Sequence, residues 1–227
     1  MVHPINEPPL NPVPPAVMAL CIVIVGVEAA FSLGAYGVVG GPAALGWRLD
    51  AMERFAFFAP VLDWMMQTGR LPPEHLVRFF SYPFVHASFT HAAFAGVMLL
   101  AMGKMVAEAL GPLRMVAIFF AASLVGALAY GLLATTQRPL IGAFPPGYGL
   151  IGGVIYLLWL RLGVAGENQV RAFGLIGMLL GIQLLFGLIF GGSQDWIADI
   201  AGFATGFALT LVMVPGGWAR LLAKLRR

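Results

Sequence analysis

Four residues in this chain carry acid–base side chains in an apolar setting. His86 and His91 open one hydrophobic run, Asp199 lies about one turn into another, and Glu28 sits near the middle of a third. Histidine gives or takes a proton near neutral pH. A carboxylate in an apolar run requires a partner, water or a proton of its own. Histidine and carboxylate are also two parts of a hydrolytic site; the third is a hydroxyl or thiol within reach of the base. The segment best suited to present that third group is residues 142–153, Gly-Ala-Phe-Pro-Pro-Gly-Tyr-Gly-Leu-Ile-Gly-Gly, a tight glycine loop feeding a close-packed helix. It holds no serine, cysteine or threonine. Phe144 stands where a nucleophile would be expected, and Pro145 and Pro146 follow it.

His86 and His91 are five residues apart. On one helix that spacing is a rotation of about 500°, or roughly 140° net. The rings are then expected to point to different sides and to share no metal. A structural hydrogen-bonding role is as well founded for them as a chemical one. No residue pattern calls for a cofactor. For Glu28 the expectation is a buried, protonated carboxyl bonded to a neighbouring helix. Asp195, one turn before Asp199, is expected at the surface.

Membrane helices must position these groups. Of 227 residues 60% are hydrophobic and 10% are charged, whereas soluble domains carry about 25% charged residues. Mean hydropathy is +0.89. These values describe an all-α polytopic membrane protein. Basic loops on one membrane face account for the net charge of +3, so no nucleic-acid partner is implied. Cys21 is the single cysteine and leaves no intrachain disulfide. The N-terminus lacks a basic n-region and a small-residue cleavage site, so no removable signal peptide is expected.

Six runs approach the roughly 20 residues that cross a bilayer: 16–40, 88–109, 113–135, 146–165, 170–191 and 196–215. The expected organisation is a proline-rich tail at 1–15, a six-helix membrane domain at 16–215 and a basic tail at 216–227. Within the domain, the long first loop (41–85) holds Trp47, Arg48 and an apolar stretch from Phe55 to Met66. Its mixed character suits short helices lying in the interface. With six spans, Lys104, Arg114, Arg161, Arg171, Arg220, Lys224, Arg226 and Arg227 share one side, against five arginines on the other. That bias puts both termini in the cytoplasm. The tail from Trp218 to Arg227 suits anionic headgroups. Gly202 and Gly206 on the sixth run, Gly149, Gly152 and Gly153 on the fourth, and Gly126 and Gly131 on the third allow close helix approach.

The order Arg78, His86, His91, then Glu108-Ala-Leu-Gly111, then Gly142-Ala143 with Gly149-Leu-Ile-Gly152, then Gly202-xxx-Gly206 resembles the rhomboid intramembrane serine proteases over most of residues 45–210. The resemblance implies a six-transmembrane-helix bundle with a long amphipathic first loop. An active rhomboid carries His-xxxx-His-xxx-Asn on helix 2, Gly-x-Ser-Gly at the start of helix 4 and Ala-His-xx-Gly-xxx-Gly on helix 6. Carried over, the serine position is Phe144, its following glycine is Pro145, the helix-6 histidine is Asp199 and the helix-2 asparagine is Ala95. Only His86 and His91 match the polar set. A phenyl ring has no transferable proton, and proline offers no N–H to an oxyanion. Ser81, Ser88, Ser123 and Ser193 remain, without a template position.

The expectation is therefore a catalytically inactive rhomboid-like protein of a bacterial-type inner membrane that binds transmembrane segments of client proteins. Two alternatives stand beside it. One is an active rhomboid-type serine endopeptidase using residues off the template. The other is a small proton-linked transporter using Glu28, Asp199 and the histidines. Asp199 is expected either to pair with His91 across helices 2 and 6 or to face a small water-filled cavity.

Overall fold

The computed structural model describes residues 12–174, 176–178 and 194–216. Residues 1–11, 217–227 and most of the expected fifth span (170–191) lie outside them. The helices are α1 (Pro15–Ala35), α2 (Trp47–Phe55), α3 (Ala59–Thr68), α4 (Pro73–Leu76), α5 (Arg78–Ser81), α6 (Phe89–Leu110), α7 (Pro112–Leu133), α8 (Phe144–Val164) and α9 (Trp196–Met213). Five of them, α1, α6, α7, α8 and α9, are long and apolar enough to cross a membrane. The protein is a helical membrane bundle, as its composition dictates.

Two boundaries differ from expectation, each for a local reason. The first span stops at Ala35 rather than 40 because Gly37 and Gly40 take φ of 73° and 77°, outside the right-handed helical region. The fourth begins at Phe144 rather than 146. Pro145 and Pro146 occupy its second and third positions, where a backbone N–H has no intrahelical acceptor in any case. The first N–H able to close a turn is that of Gly147, which donates to the Ala143 carbonyl at 3.0 Å.

The start of α8 is the centre of the bundle. Every residue from Pro145 to Gly153 is buried, so neighbours surround the helix on all sides. Small residues make that possible. A methyl group on Gly206 would strike the Gly149 carbonyl, one on Gly202 the Pro145 carbonyl, and one on Gly152 the Phe203 carbonyl. Helices α8 and α9 therefore touch backbone to backbone, the contact on which association in lipid relies.

The first loop folds into α2–α5 with short 3₁₀ turns and packs on α7. Phe57, Leu62, Phe79, Tyr82, Tyr130 and Leu140 form its apolar core. Arg78 Nη1 donates to the Ala56 carbonyl at 2.8 Å, and Ser81 Oγ donates to Phe55 O at 2.9 Å. Phe57 and Leu140 exchange backbone hydrogen bonds of 3.1 and 2.8 Å. The loop is thereby fastened to the strand-like segment that leads into α8.

Candidate functional site

His86 and His91 do not share a helix. His86 follows a 3₁₀ turn (Tyr82–Phe84) and an extended Val85, whereas His91 is the third residue of α6. Ser88 caps α6, its hydroxyl accepting the His91 N–H at 3.2 Å. The chain turns back at this cap. The expected divergence of the rings is thus corrected: their centroids lie 5.2 Å apart at an interplanar angle of 73°. The rotation argument applies only to a continuous helix, and the cap interrupts it.

Both imidazoles accept backbone hydrogen bonds. His91 Nδ1 accepts the Ala87 N–H at 3.2 Å, and His86 Nε2 accepts the Ala143 N–H at 3.3 Å. Accepting at one nitrogen fixes the proton on the other and favours the neutral ring. His86 is 1% exposed. Burial, then the nearby charges of His91 and Arg48, bring its pKa down to about 4, against the opposing pull of Glu28 and the Phe84 carbonyl.

The His86–Ala143 bond sets the mouth of α8 against the histidines. Gly142 turns the chain there with φ of 88°, and a Cβ at this position would lie 2.8 Å from His91 Cε1. Its N–H donates to Tyr82 O at 3.0 Å. Two residues on, the Phe144 ring stacks on His91 with centroids 5.1 Å apart and planes 13° apart. The face of His91 turned towards the head of α8 is covered by a phenyl ring. Ala95, one turn along α6, is fully buried in the apolar core beside Ala92, Leu99 and Ala143.

Asp199 is 1% exposed on α9. It lies within electrostatic reach of Tyr82. Tyr82 lies outside the spans and donates its hydroxyl to Ser123 O at 3.1 Å; burial, reinforced by Asp199, holds its phenol well above its ordinary pKa. The hydrogen bonds of His91 run to Ala87 and Ser88.

Glu28 corrects a second expectation. Its partner does lie on a neighbouring helix, but that helix is α2 of the first loop rather than another span, and the partner is the cation Arg48. Arg48 Nη2 donates to Oε1 and Nη1 to Oε2, both at 2.8 Å, and Ser32 Oγ donates to Oε1 at 2.8 Å. The same Arg48 Nη1 donates to the His86 carbonyl at 2.7 Å. A planar guanidinium can hold a carboxylate with its fork and still reach a third acceptor. Span 1 is so clamped to the histidine segment. Sequence reading left Arg48 among interfacial charges. The available signal was the acid itself, because a carboxylate in a span calls for a cation and the adjoining loop supplies one in Trp47-Arg48.

The site can therefore exchange protons at two neutral imidazoles and hold a buried carboxylate, but the head of α8 offers no serine, threonine or cysteine. The described serines serve the fold: Ser32 binds Glu28, Ser81 binds Phe55 O, Ser88 caps α6 and Ser123 donates to Phe119 O. Ser193 lies outside the described residues. Beside the site, an apolar groove of about 510 Å³ runs between α1 and α6, lined by Cys21, Val25, Phe89, Gly96 and Val97, with Glu28 in its wall.

The Rhomboid domain family model matches residues 73–216. "Rhomboid-like protease 1" of Toxoplasma gondii is 27% identical over 132 residues, covering 57% of this chain and 44% of that relative. The chain thus aligns with less than half the length of this relative. The family match takes in His86, His91, Phe144 and Asp199, whereas Glu28 and Arg48 precede it.

Proposed function

The chain belongs to the rhomboid family, and from that premise we propose that it is a non-catalytic member that binds transmembrane segments of other membrane proteins. The observation that carries this reading is the Phe144 ring stacked on His91 at the head of α8. The resemblance puts the nucleophile at that position, and a phenyl ring can neither attack a carbonyl nor leave room for one. Pro145 and Pro146 remove two N–H groups from the same helix end, Asp199 stands at the base position and Ala95 at an oxyanion position. In serine hydrolases, loss of the nucleophile or the base alone costs about 10⁶ in rate.

Client binding draws support from the apolar surface that the bundle retains. Phe89, Phe94 and Val97 are exposed along α6 beside the groove it shares with α1. In a bilayer these side chains meet lipid or another helix. The reading has both termini cytoplasmic, which the lysine and arginine bias supports, and takes the membrane to be of the bacterial inner type. A client could also enter between spans 2 and 5 under this reading, and most of the fifth span lies outside the described residues.

The competing reading, a serine endopeptidase, takes its support from the name of the Toxoplasma relative. Fluorophosphonate labelling, run beside cleavage of a model transmembrane substrate, decides between them. No labelling and no cleavage are expected; labelling that disappears on substitution of one serine would overturn the non-catalytic reading. Photocrosslinkers at Phe94 and Val97 should capture partner helices, and failure to recover any from native membranes would remove the client-binding part. Proton-linked transport is the weakest reading, because Glu28 is held by Arg48 and Ser32. A pH-driven flux in proteoliposomes would revive it.

A further inference from the structure

Helices α6 and α8 run parallel from the histidine end of the bundle, so their C-terminal turns reach the opposite membrane face. A cleft of about 300 Å³ opens between those turns, away from the site described above. Its walls are Met105, Ala109, Val154, Leu157 and Leu158, and its rim carries Glu108 and Arg161. The cleft is apolar on the side towards the membrane centre and charged at the end.

The charges at the rim do not cancel. Lys104 Nζ lies 3.8 Å from Glu108 Oε1, so that acid already faces a cation of its own helix. Arg161 is exposed on the last turn of α8, and among the described residues no carboxylate forms an ion pair with it. Among the described residues one positive charge is left over above an apolar trough, at the end of a helix long and apolar enough to cross a membrane. Basic pockets between membrane helices select anionic headgroups, and a guanidinium binds phosphate with two parallel bonds.

We propose that the cleft between the C-terminal turns of α6 and α8 binds one anionic phospholipid, its phosphate on Arg161 and an acyl chain against Val154, Leu157 and Leu158. The occupant carries net negative charge because the cleft has one uncompensated cation. A zwitterionic lipid presents phosphate and ammonium together, and the one acid among the described residues of the rim, Glu108, is already turned to Lys104. The chemistry is that of a phosphatidylglycerol.

The test uses the full chain in detergent micelles, with native mass spectrometry scoring adducts of phosphatidylglycerol and of phosphatidylcholine with matched chains. A preference of about fivefold for phosphatidylglycerol is expected, the weight of one basic residue near an anionic surface. Arg161→Gln should abolish the preference, and Arg161→Lys should keep part of it, because the charge remains and the fork is lost. Leu158→Trp, which fills the trough and spares the charge, should lower adducts of both lipids. Arg171→Gln is the control, since Arg171 pairs with Glu167 at 3.0 Å beyond the end of α8; it should leave the preference intact. Equal binding of the two lipids, or equal loss in Arg171→Gln and Arg161→Gln, would overturn the site in favour of diffuse charge attraction. Thermal unfolding of each variant establishes that it is folded before binding is compared.

Discussion

Replacing Arg48 by Ala tests the clamp between span 1 and the histidines. The substitution removes two 2.8 Å bonds to Glu28 and one of 2.7 Å to the His86 carbonyl. It also removes the guanidinium from the Phe31 ring, 5.3 Å away. The Glu28 side chain, only 5% exposed, then keeps Ser32 as its remaining donor. Breaking a buried pair by removing one partner costs about 3–5 kcal/mol. Because the Arg48 side chain is 23% exposed, water enters the vacated space, and the expected loss is near the lower figure, about 3 kcal/mol. Glu28→Met/Arg48→Met removes both charges and should cost about 1 kcal/mol or less, since a packed apolar pair replaces an ion pair at little expense. The cycle completed with Glu28→Met and Arg48→Met should therefore show a coupling of at least about 2 kcal/mol, larger by whatever Glu28→Met costs alone. Reversible unfolding in mixed micelles, titrated with dodecyl sulfate and followed by tryptophan fluorescence, measures each corner. Hydrogen exchange over residues 140–147 supplies a second readout, because the Ala143 N–H is held by His86 and should exchange faster once Arg48 no longer holds the His86 carbonyl. Additive costs within about 0.5 kcal/mol, with unchanged exchange, would refute the clamp.

Gly206→Ala places a methyl group on the Gly149 carbonyl and should cost about 1–3 kcal/mol or more as overpacking. Gly26→Ala, with nothing within 4 Å, should be neutral or slightly stabilising in the same unfolding assay. Burial holds the pKa of folded His86 down at about 4, against 6.5 for a free imidazole, so between those values the unfolded chain binds more protons. Stability should be full above pH 6.5, fall as the pH drops through that window, and lose at most about 3 kcal/mol by pH 4; a pH series on wild type and His86→Gln checks it, the variant giving the flatter curve. Phe144→Ser restores a hydroxyl at the head of α8 without a histidine on α9, and should remain unlabelled by fluorophosphonate. Labelling of that variant would show that another group serves as base.

Composition and run length revealed the spans because each apolar stretch must be satisfied within lipid, and that constraint acts locally. That Ala95, Phe144 and Asp199 stand on three different spanning helices was legible because run length fixes which residues each helix carries. What was not legible depends on departures from regular helix. The meeting of His86 and His91 follows from a serine cap that breaks the helix between them. The early start of α8 follows from prolines tolerated in a first turn. The pairing of Glu28 with Arg48 joins residues 20 apart across a glycine-containing turn, and no periodicity encodes the path of that turn.

The hydrogen bonds around His86 also carry an order of assembly. Arg48 lies 20 residues after Glu28 and 38 before His86, whereas the Ala143 N–H reaches His86 across 57 residues. During synthesis the chain emerges from its N-terminal end, so the link to Glu28 can close before α6 exists. The Phe57–Leu140 bridge and the Ala143 bond become possible only after α6 and α7 have been made. The first loop must therefore wait, one end secured, for the head of α8 to arrive. A chain stalled before residue 140 would hold the Glu28–Arg48 link and lack the histidine site, so this end of the bundle closes only with α8 and, after it, with α9, whose Ala198 joins the same apolar core.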